Sequence, residues 1–186
     1  MKAEEAYELA VKLIEPHMSL HGRPAPGGAR KEADLREGIS YLEKALGEAP
    51  RNWMVWFVRG KAEQALGDHE AACRSFRRAR EINSRHLDIG RELVAECLET
   101  GRTSEAVSVA ESLSRAAPKN AGLLANLALA YLIDEQLDRA SATADAALAL
   151  DPSDKITAAV KDRIGDVRAG RWPQPRSLGD LLKRPA

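Results

Sequence analysis

The 34 residues WMVWFVRGKAEQALGDHEAACRSFRRAREINSRH, numbered 53–86, hold one full copy of a pattern that runs through the rest of the chain. Trp56 and Gly60 stand in its first half, and Ala72, Phe76 and Ala79 in its second. Near its end lies Ser84, and Pro50, Pro118 and Pro152 occupy the same slot one period before, one period after and two periods after it. Twelve residues ahead of these four positions stand Gly38, Ala72, Ala106 and Ala140, and five ahead stand Ala45, Ala79, Leu113 and Ala147. Small residues thus return wherever two helices have to approach closely. Gly67 and Gly101 are also one period apart, in LGDH and ETGRT, where a left-handed residue would end one helix and turn the chain into the next. A fixed period of this length signals one helical hairpin repeated along the chain.

The pattern resembles the tetratricopeptide repeat, a 34-residue helix-turn-helix with W-x2-L-G-x2-Y, then A-x3-F, then P. Residues 87–120 keep Leu93, Gly101, Ala106 and Pro118, with Cys97 in the Tyr slot, and residues 121–154 keep Leu127, Ala128, Tyr131, Ala140, Ala147 and Pro152. In residues 53–86, Arg59 and Glu63 replace the family's Leu and Tyr. Two charges on a packing face must pair with each other or reach water. The resemblance implies an all-α, right-handed helical-repeat solenoid of antiparallel helix pairs over residues 1–169, with units at about 4–52, 53–86, 87–120 and 121–154.

The first unit is stretched. Tyr7, Ala10, Val11 and Ile14 fit the first-helix pattern only with about 15 residues inserted before the helix that begins near Ala29. The insert, over residues 16–29, is dense in Pro and Gly and cannot continue a helix, so it reads as disorder or as a binding lid. A further helix at 154–168, with Ile156, Ala159, Val160, Ile164 and Val167 on one stripe, would cap the end of the stack. The tail, residues 170–186, breaks at two prolines. It then offers Ser177 ahead of Asp180 as the start of a short helix carrying Leu178, Leu181 and Leu182, with no evident place to bury them.

Composition narrows the setting. Twenty-eight basic residues balance twenty-eight acidic ones, so no net field draws the chain to nucleic acid or to an anionic membrane. The first residues alternate charge with apolar side chains instead of forming a signal-peptide core, and no stretch approaches the length of a membrane span. Cys73 and Cys97 lack metal-type spacing and fit buried thiols in a reducing cytoplasm. No phosphate loop, nucleophile elbow or paired-cysteine motif is present, which points away from an enzyme and from any cofactor. His17 and His21 have the spacing of two metal ligands on a helix, but Pro16 and Gly22 flank them. Two ligands also fall short of the usual three or four, so they read as solvated loop histidines and no metal is expected. His69 and His86 read as exposed turn residues. Arg74, Arg77, Arg78 and Arg80 share their helix with Glu81 and with Glu70 one turn earlier, a mixture of signs that reads as a solvated outer face rather than a nucleic-acid track.

What remains is the inner face. In the family the first helix of each unit lines a concave groove, and resemblance assigns to it Glu5, Glu8, Lys12 and Glu15; Met54, Phe57, Lys61 and Gln64; Asp88, Arg91, Ala95 and Leu98; and Ala125, Leu129 and Leu132. Met54, Phe57, Leu98, Leu129 and Leu132 would anchor an apolar ligand, and Lys61 and Arg91 would orient a carboxylate or carbonyl. Burying one such apolar side chain is worth about 1.5–3 kcal/mol. Three or four together therefore reach the roughly 8 kcal/mol of a micromolar complex. The expected function is a non-catalytic scaffold or adaptor that holds a peptide or amphipathic helix of another protein. One alternative is a homo-oligomer whose groove takes its own or a neighbour's tail, around Trp172, Leu178, Leu181 and Leu182; another is a secretion- or co-chaperone-like role. Against the last, the clamp that binds acidic chaperone tails needs cations where this chain has Asp88 and Glu92.

Overall fold

The computed structural model describes residues 2–18 and 30–182, and these are helical, with no strand among them. The inserted segment therefore falls almost wholly outside the described residues, as do His21 and the last four residues. Two compact units divide the chain, Met1–Ile89 and Gly90–Ala186.

In the first unit, α1 (Ala3–Ile14) runs into a short 3-10 turn at Glu15–His17, and α2 (Lys31–Glu48), α3 (Trp53–Ala65) and α4 (His69–Ile82) follow. The hairpin of α1 and α2 is pinned at both ends. Ala3 N donates to Glu48 Oε2 at 2.8 Å, and His17 Nε2 lies 2.9 Å from Asp34 Oδ2. Between them Gly38 lets the helices touch: a Cβ there would sit 2.6 Å from Ile14 Cγ1. Ala6, Ala10 and Ile14 meet Leu35, Leu42 and Ala45 in a sealed core that continues to Val55 and Ala62. Asn52 caps α3 by accepting from Met54 N, and Asp68 caps α4 by accepting from Ala71 N, so one orphan amide at the start of each helix is satisfied.

The charges that break the repeat pattern pair with each other. Arg59 Nε donates to Glu63 Oε1 at 2.8 Å, Ser75 Oγ donates to Glu63 Oε2 at 2.6 Å, and Glu43 lies 3.3 Å from the Arg59 guanidinium.

The boundary between the units falls within α5 (Leu87–Glu99). The second unit contains the rest of α5, then α6 (Thr103–Ala116), α7 (Ala121–Ile133), α8 (Leu137–Leu150), α9 (Lys155–Arg168) and the short α10 (Leu178–Leu182). Here α7 packs on α6, α8 and α9. The recurring positions Ala106, Leu113, Ala140 and Ala147 are all buried, as are Ala45, Ala72 and Ala79 in the first unit. In the Tyr slot of its repeat, Tyr131 donates its hydroxyl to Glu111 Oε1 at 2.8 Å while Arg139 stacks 4.1 Å from its ring centroid. The Tyr131 bond, then that from Arg139, holds the Glu111 carboxyl below the usual carboxylate range. The stabilisation from that lowered value is present above the ordinary carboxylate range and is lost as pH falls below that range through the lowered folded value.

The α9 cap differs from its expected stripe. Only Ile164 of that stripe is buried, with Thr157 one face-repeat away, and Ile156 is 76% exposed. Asp154 caps the helix by accepting from Ile156 N and also accepts from the hydroxyl of Thr157, so the buried Thr157 keeps a hydrogen-bond partner.

Helix ends follow the same period. Gly67 and Gly101 have φ of +79° and +72°, and the chain returns through Asp68 N to Glu63 O and Arg102 N to Cys97 O, closing the left-handed helix ends expected of glycine. One period on, Glu135 takes φ of +63° with the matching bond from Gln136 N to Tyr131 O. A side chain in that conformation costs about 1–2 kcal/mol, against the 0.5–1 kcal/mol of chain entropy that glycine loses on folding. Glu135→Gly is expected to stabilise the protein by about 0.5–1 kcal/mol. A denaturation midpoint that stays put or falls would mean that the Glu135 side chain contributes something the glycine cannot replace.

Candidate partner-binding site

On α3 the spacing of Met54, Phe57, Lys61 and Gln64 puts them on one helical face. Met54 stands 43% exposed, one of the few large apolar side chains so open. Phe57 is half-buried, its ring 5.7 Å from that of the sealed Phe76 and 6.4 Å from His86. Trp53, at the first turn of α3, lies 4.8 Å from the same imidazole. Met54, Phe57, Trp53 and His86 therefore make a continuous apolar and aromatic patch in the first unit.

His86 is a correction to the sequence reading. Instead of an exposed turn residue it is half-buried, and its Nδ1 is sealed from water with no hydrogen-bond partner among the described residues. The signal that could have located it is the period itself, because His86 closes the repeat that Trp53 opens. Lys61 also departs from expectation. It is buried, and Nζ donates to Gln64 Oε1 at 2.5 Å, so its ammonium is held along its own helix instead of being presented to a ligand. Phe57, by leaning on Phe76, is as much a part of the core as of the patch.

In the second unit, Arg91 is exposed on α5 and Leu129 is half-buried on α7. Leu98 and Leu132, expected as open anchors, are 1% and 0% exposed. Beside both of them lies the tail. Gln174 Nε2 donates to Leu132 O at 2.6 Å, and Gly179 N donates to Glu99 Oε2 at 3.1 Å, so the segment from Gln174 to α10 is tied to the last turns of α7 and α5. Pro175 between these ties is buried, and Leu178 and Leu181 are half-buried. Trp172 is covered by the Arg163 guanidinium at 3.1 Å from its ring centroid. Asp180 accepts from Arg176 N, one residue ahead of the expected capping position. The tail thus has a place after all, against first helices of its own unit.

Among the described residues, no three His, Cys, Asp or Glu side chains are grouped to hold a metal ion, and His17 is engaged with Asp34. Cys73 and Cys97 are both buried and form no disulfide. No helix among the described residues is long and apolar enough to cross a membrane.

Comparison with known families gives a match to the family described as tetratricopeptide repeat, over residues 28–85 and 97–155. Comparison with curated proteins gives no match. Among solved structures, a fragment of MamA from Desulfovibrio magneticus RS-1 is similar at 21% identity with a TM-score of 0.72, covering 90% of this chain and 85% of its own. YrrB, described as a TPR protein with an unusual peptide-binding site, is similar at 21% identity and a TM-score of 0.64, over 70% of this chain and 68% of its own. A tetratricopeptide repeat protein from Parabacteroides merdae matches at 16% identity and a TM-score of 0.72, over 92% of this chain and 62% of its own. At these identities the likeness is one of fold.

Proposed function

Because this chain belongs to the tetratricopeptide repeat family, we propose that it is a non-catalytic scaffold that captures a peptide or amphipathic helix of a partner protein on the inner face of α3. The supporting observation is the Met54 patch: an open methionine beside Phe57, Trp53 and His86, on the helix face that in this family looks into the groove. A flexible thioether next to rigid rings suits an apolar side chain whose shape is not matched in advance. YrrB, with its peptide-binding site, offers a precedent in fold only. Two buried free thiols are in keeping with a reducing cytoplasm as the setting.

A second reading is favoured by the tail. With Gln174 bonded to the Leu132 carbonyl and Gly179 to Glu99, the C-terminal segment lies in its own unit along the kind of surface a partner peptide would use. In this reading the tail is an internal ligand that leaves the α3 patch as the open one.

One experiment addresses both. Protein recovered from its native cells by the tagged chain is compared with that recovered by Met54→Asp and by a chain ending at Gly170. Met54 is exposed and away from the sealed core, so its replacement is expected to leave helicity and stability within about 0.5 kcal/mol of the parent. Capture should fall at least about tenfold, since burying one such side chain is worth more than 1.4 kcal/mol. The shortened chain should capture more if the tail shields a binding surface. Undiminished capture by Met54→Asp would remove the α3 patch as the anchor.

A further inference from the structure

The opposite side of α3 carries a second surface. Trp56, Arg59 and Glu63 are turned about half a revolution from Met54, and with Arg36 and Ile39 of α2 and Arg74, Ser75 and Arg78 of α4 they line a cleft of about 640 Å³ within the first unit. In the family's pattern a leucine and a tyrosine would stand at positions 59 and 63. Here the shorter Glu63 is drawn toward Ser75 and Arg59 lies along Trp56, 5.7 Å from its ring centroid, and the space beside them is open.

The cleft is locally basic in a chain whose formal charge is zero. Four arginines face two carboxylates, and both carboxylates are already used. Glu63 accepts from Arg59 and Ser75, and Asp68 accepts from Ala71 N as the cap of α4. Arg59 is held by Glu63 and Glu43, and the other three arginines are less committed. Arg74 is exposed and has no hydrogen bond or ion pair among the described residues. Arg36 pairs with Glu32, and Arg78 with Glu81, each an exposed contact along its own helix, of the kind that is weak and readily exchanged. Arg74 and Arg78 lie one turn apart on α4, about 6 Å along its axis, and Arg36 faces them from α2. The same cleft is also lined by apolar Trp56, Ile39, Leu66 and Ala71.

We propose that this cleft is a docking site for a short acidic segment of a partner protein, whose carboxylates are taken by Arg36, Arg74 and Arg78 while one apolar side chain rests on Trp56 and Ile39. Guanidinium forks bind carboxylates in pairs of parallel hydrogen bonds, and three of them in a cleft with apolar lining select for acid and hydrocarbon together. The site is independent of the Met54 patch, which lies across the helix.

The test is titration of a short fluorescein-labelled peptide of glutamates and leucines, followed by anisotropy at low salt. A peptide with lysine for glutamate and a short RNA of equal charge serve as rival probes. The acidic peptide is expected to bind, to weaken as salt is raised, and to lose about tenfold or more in affinity to Arg74→Glu combined with Arg78→Glu. Met54→Asp should bind it as the parent does, so failure of the α3 patch and failure of this cleft are read separately. Both arginines are exposed and their removal spares the core. Should the charge-reversed chain lose helicity, Arg74→Gln with Arg78→Gln takes its place and should still weaken binding several-fold. Equal binding of the lysine peptide, or of the acidic peptide to a folded arginine variant, overturns the proposal. Tighter capture of the RNA through the same arginines overturns it in favour of a phosphate ligand.

Discussion

Glu63→Ala is expected to cost about 3 kcal/mol, the range for removing one member of a buried ion pair. Glu63 is 5% exposed and accepts from two donors, Arg59 Nε at 2.8 Å and Ser75 Oγ at 2.6 Å. Without it, the buried Ser75 hydroxyl loses its acceptor. Arg59 keeps only the more distant Glu43, although its own partial exposure lets water recover part of the loss. The informative companion is the double replacement Arg59→Leu with Glu63→Tyr, which restores the repeat pattern. Exchanging a buried pair for well-packed apolar groups is often neutral or stabilising, so the double variant should return to within about 1 kcal/mol of the parent or exceed it. Urea denaturation followed by circular dichroism would give both values. A Glu63→Ala midpoint equal to the parent's would show that the pair is solvated rather than part of the packing. The double variant should also fill the cleft and abolish binding of the acidic peptide, which would tie the local departure from the pattern to a surface rather than to stability.

Phe76→Ala carries the other large effect, about 3–5 kcal/mol, as for truncating a sealed aromatic. Phe76 is fully buried and meets both α3 features that matter: the Phe57 ring at 5.7 Å, and Gly60, where a Cβ would lie 2.7 Å from Phe76 Cε1. A loss of this size is a large share of the 5–15 kcal/mol that holds an ordinary domain together. It should show as a lower urea midpoint and, because Phe57 loses its support, as weaker partner capture. Gly60→Ala strains the same contact from the other side and is expected to cost about 1–3 kcal/mol. If Phe76→Ala left the midpoint within about 1 kcal/mol of the parent, the α3–α4 contact would not be the core that its burial indicates.

Much of the architecture was legible because it is local. The left-handed glycines at 67 and 101 announce helix ends through their own φ preference. The small residues at 72, 106 and 140 announce close contacts through their size, and all are buried. Glu135 keeps the same turn without a glycine, so nothing in its own residue type announced it. That Arg59 and Glu63 would either pair or reach water was legible for the same reason, since residues four apart share a helix face, and the structure shows the pair. The site was less so. A stripe of apolar residues records which side of a helix is apolar, not what lies over it, which is why Met54 is open while Leu98 and Leu132 are shut.

By itself, the order of amino acids determined the family, the helical hairpins, their period and their turns, because each depends on residues within a few positions of one another. Tertiary structure alone decided which of the apolar positions stay open and which charges converge. Gln174 reaches Leu132 from 42 residues away, and Arg36 faces Arg74 and Arg78 from another helix. Burial and electrostatic fields sum over neighbours in space, and no spacing along the chain encodes that sum.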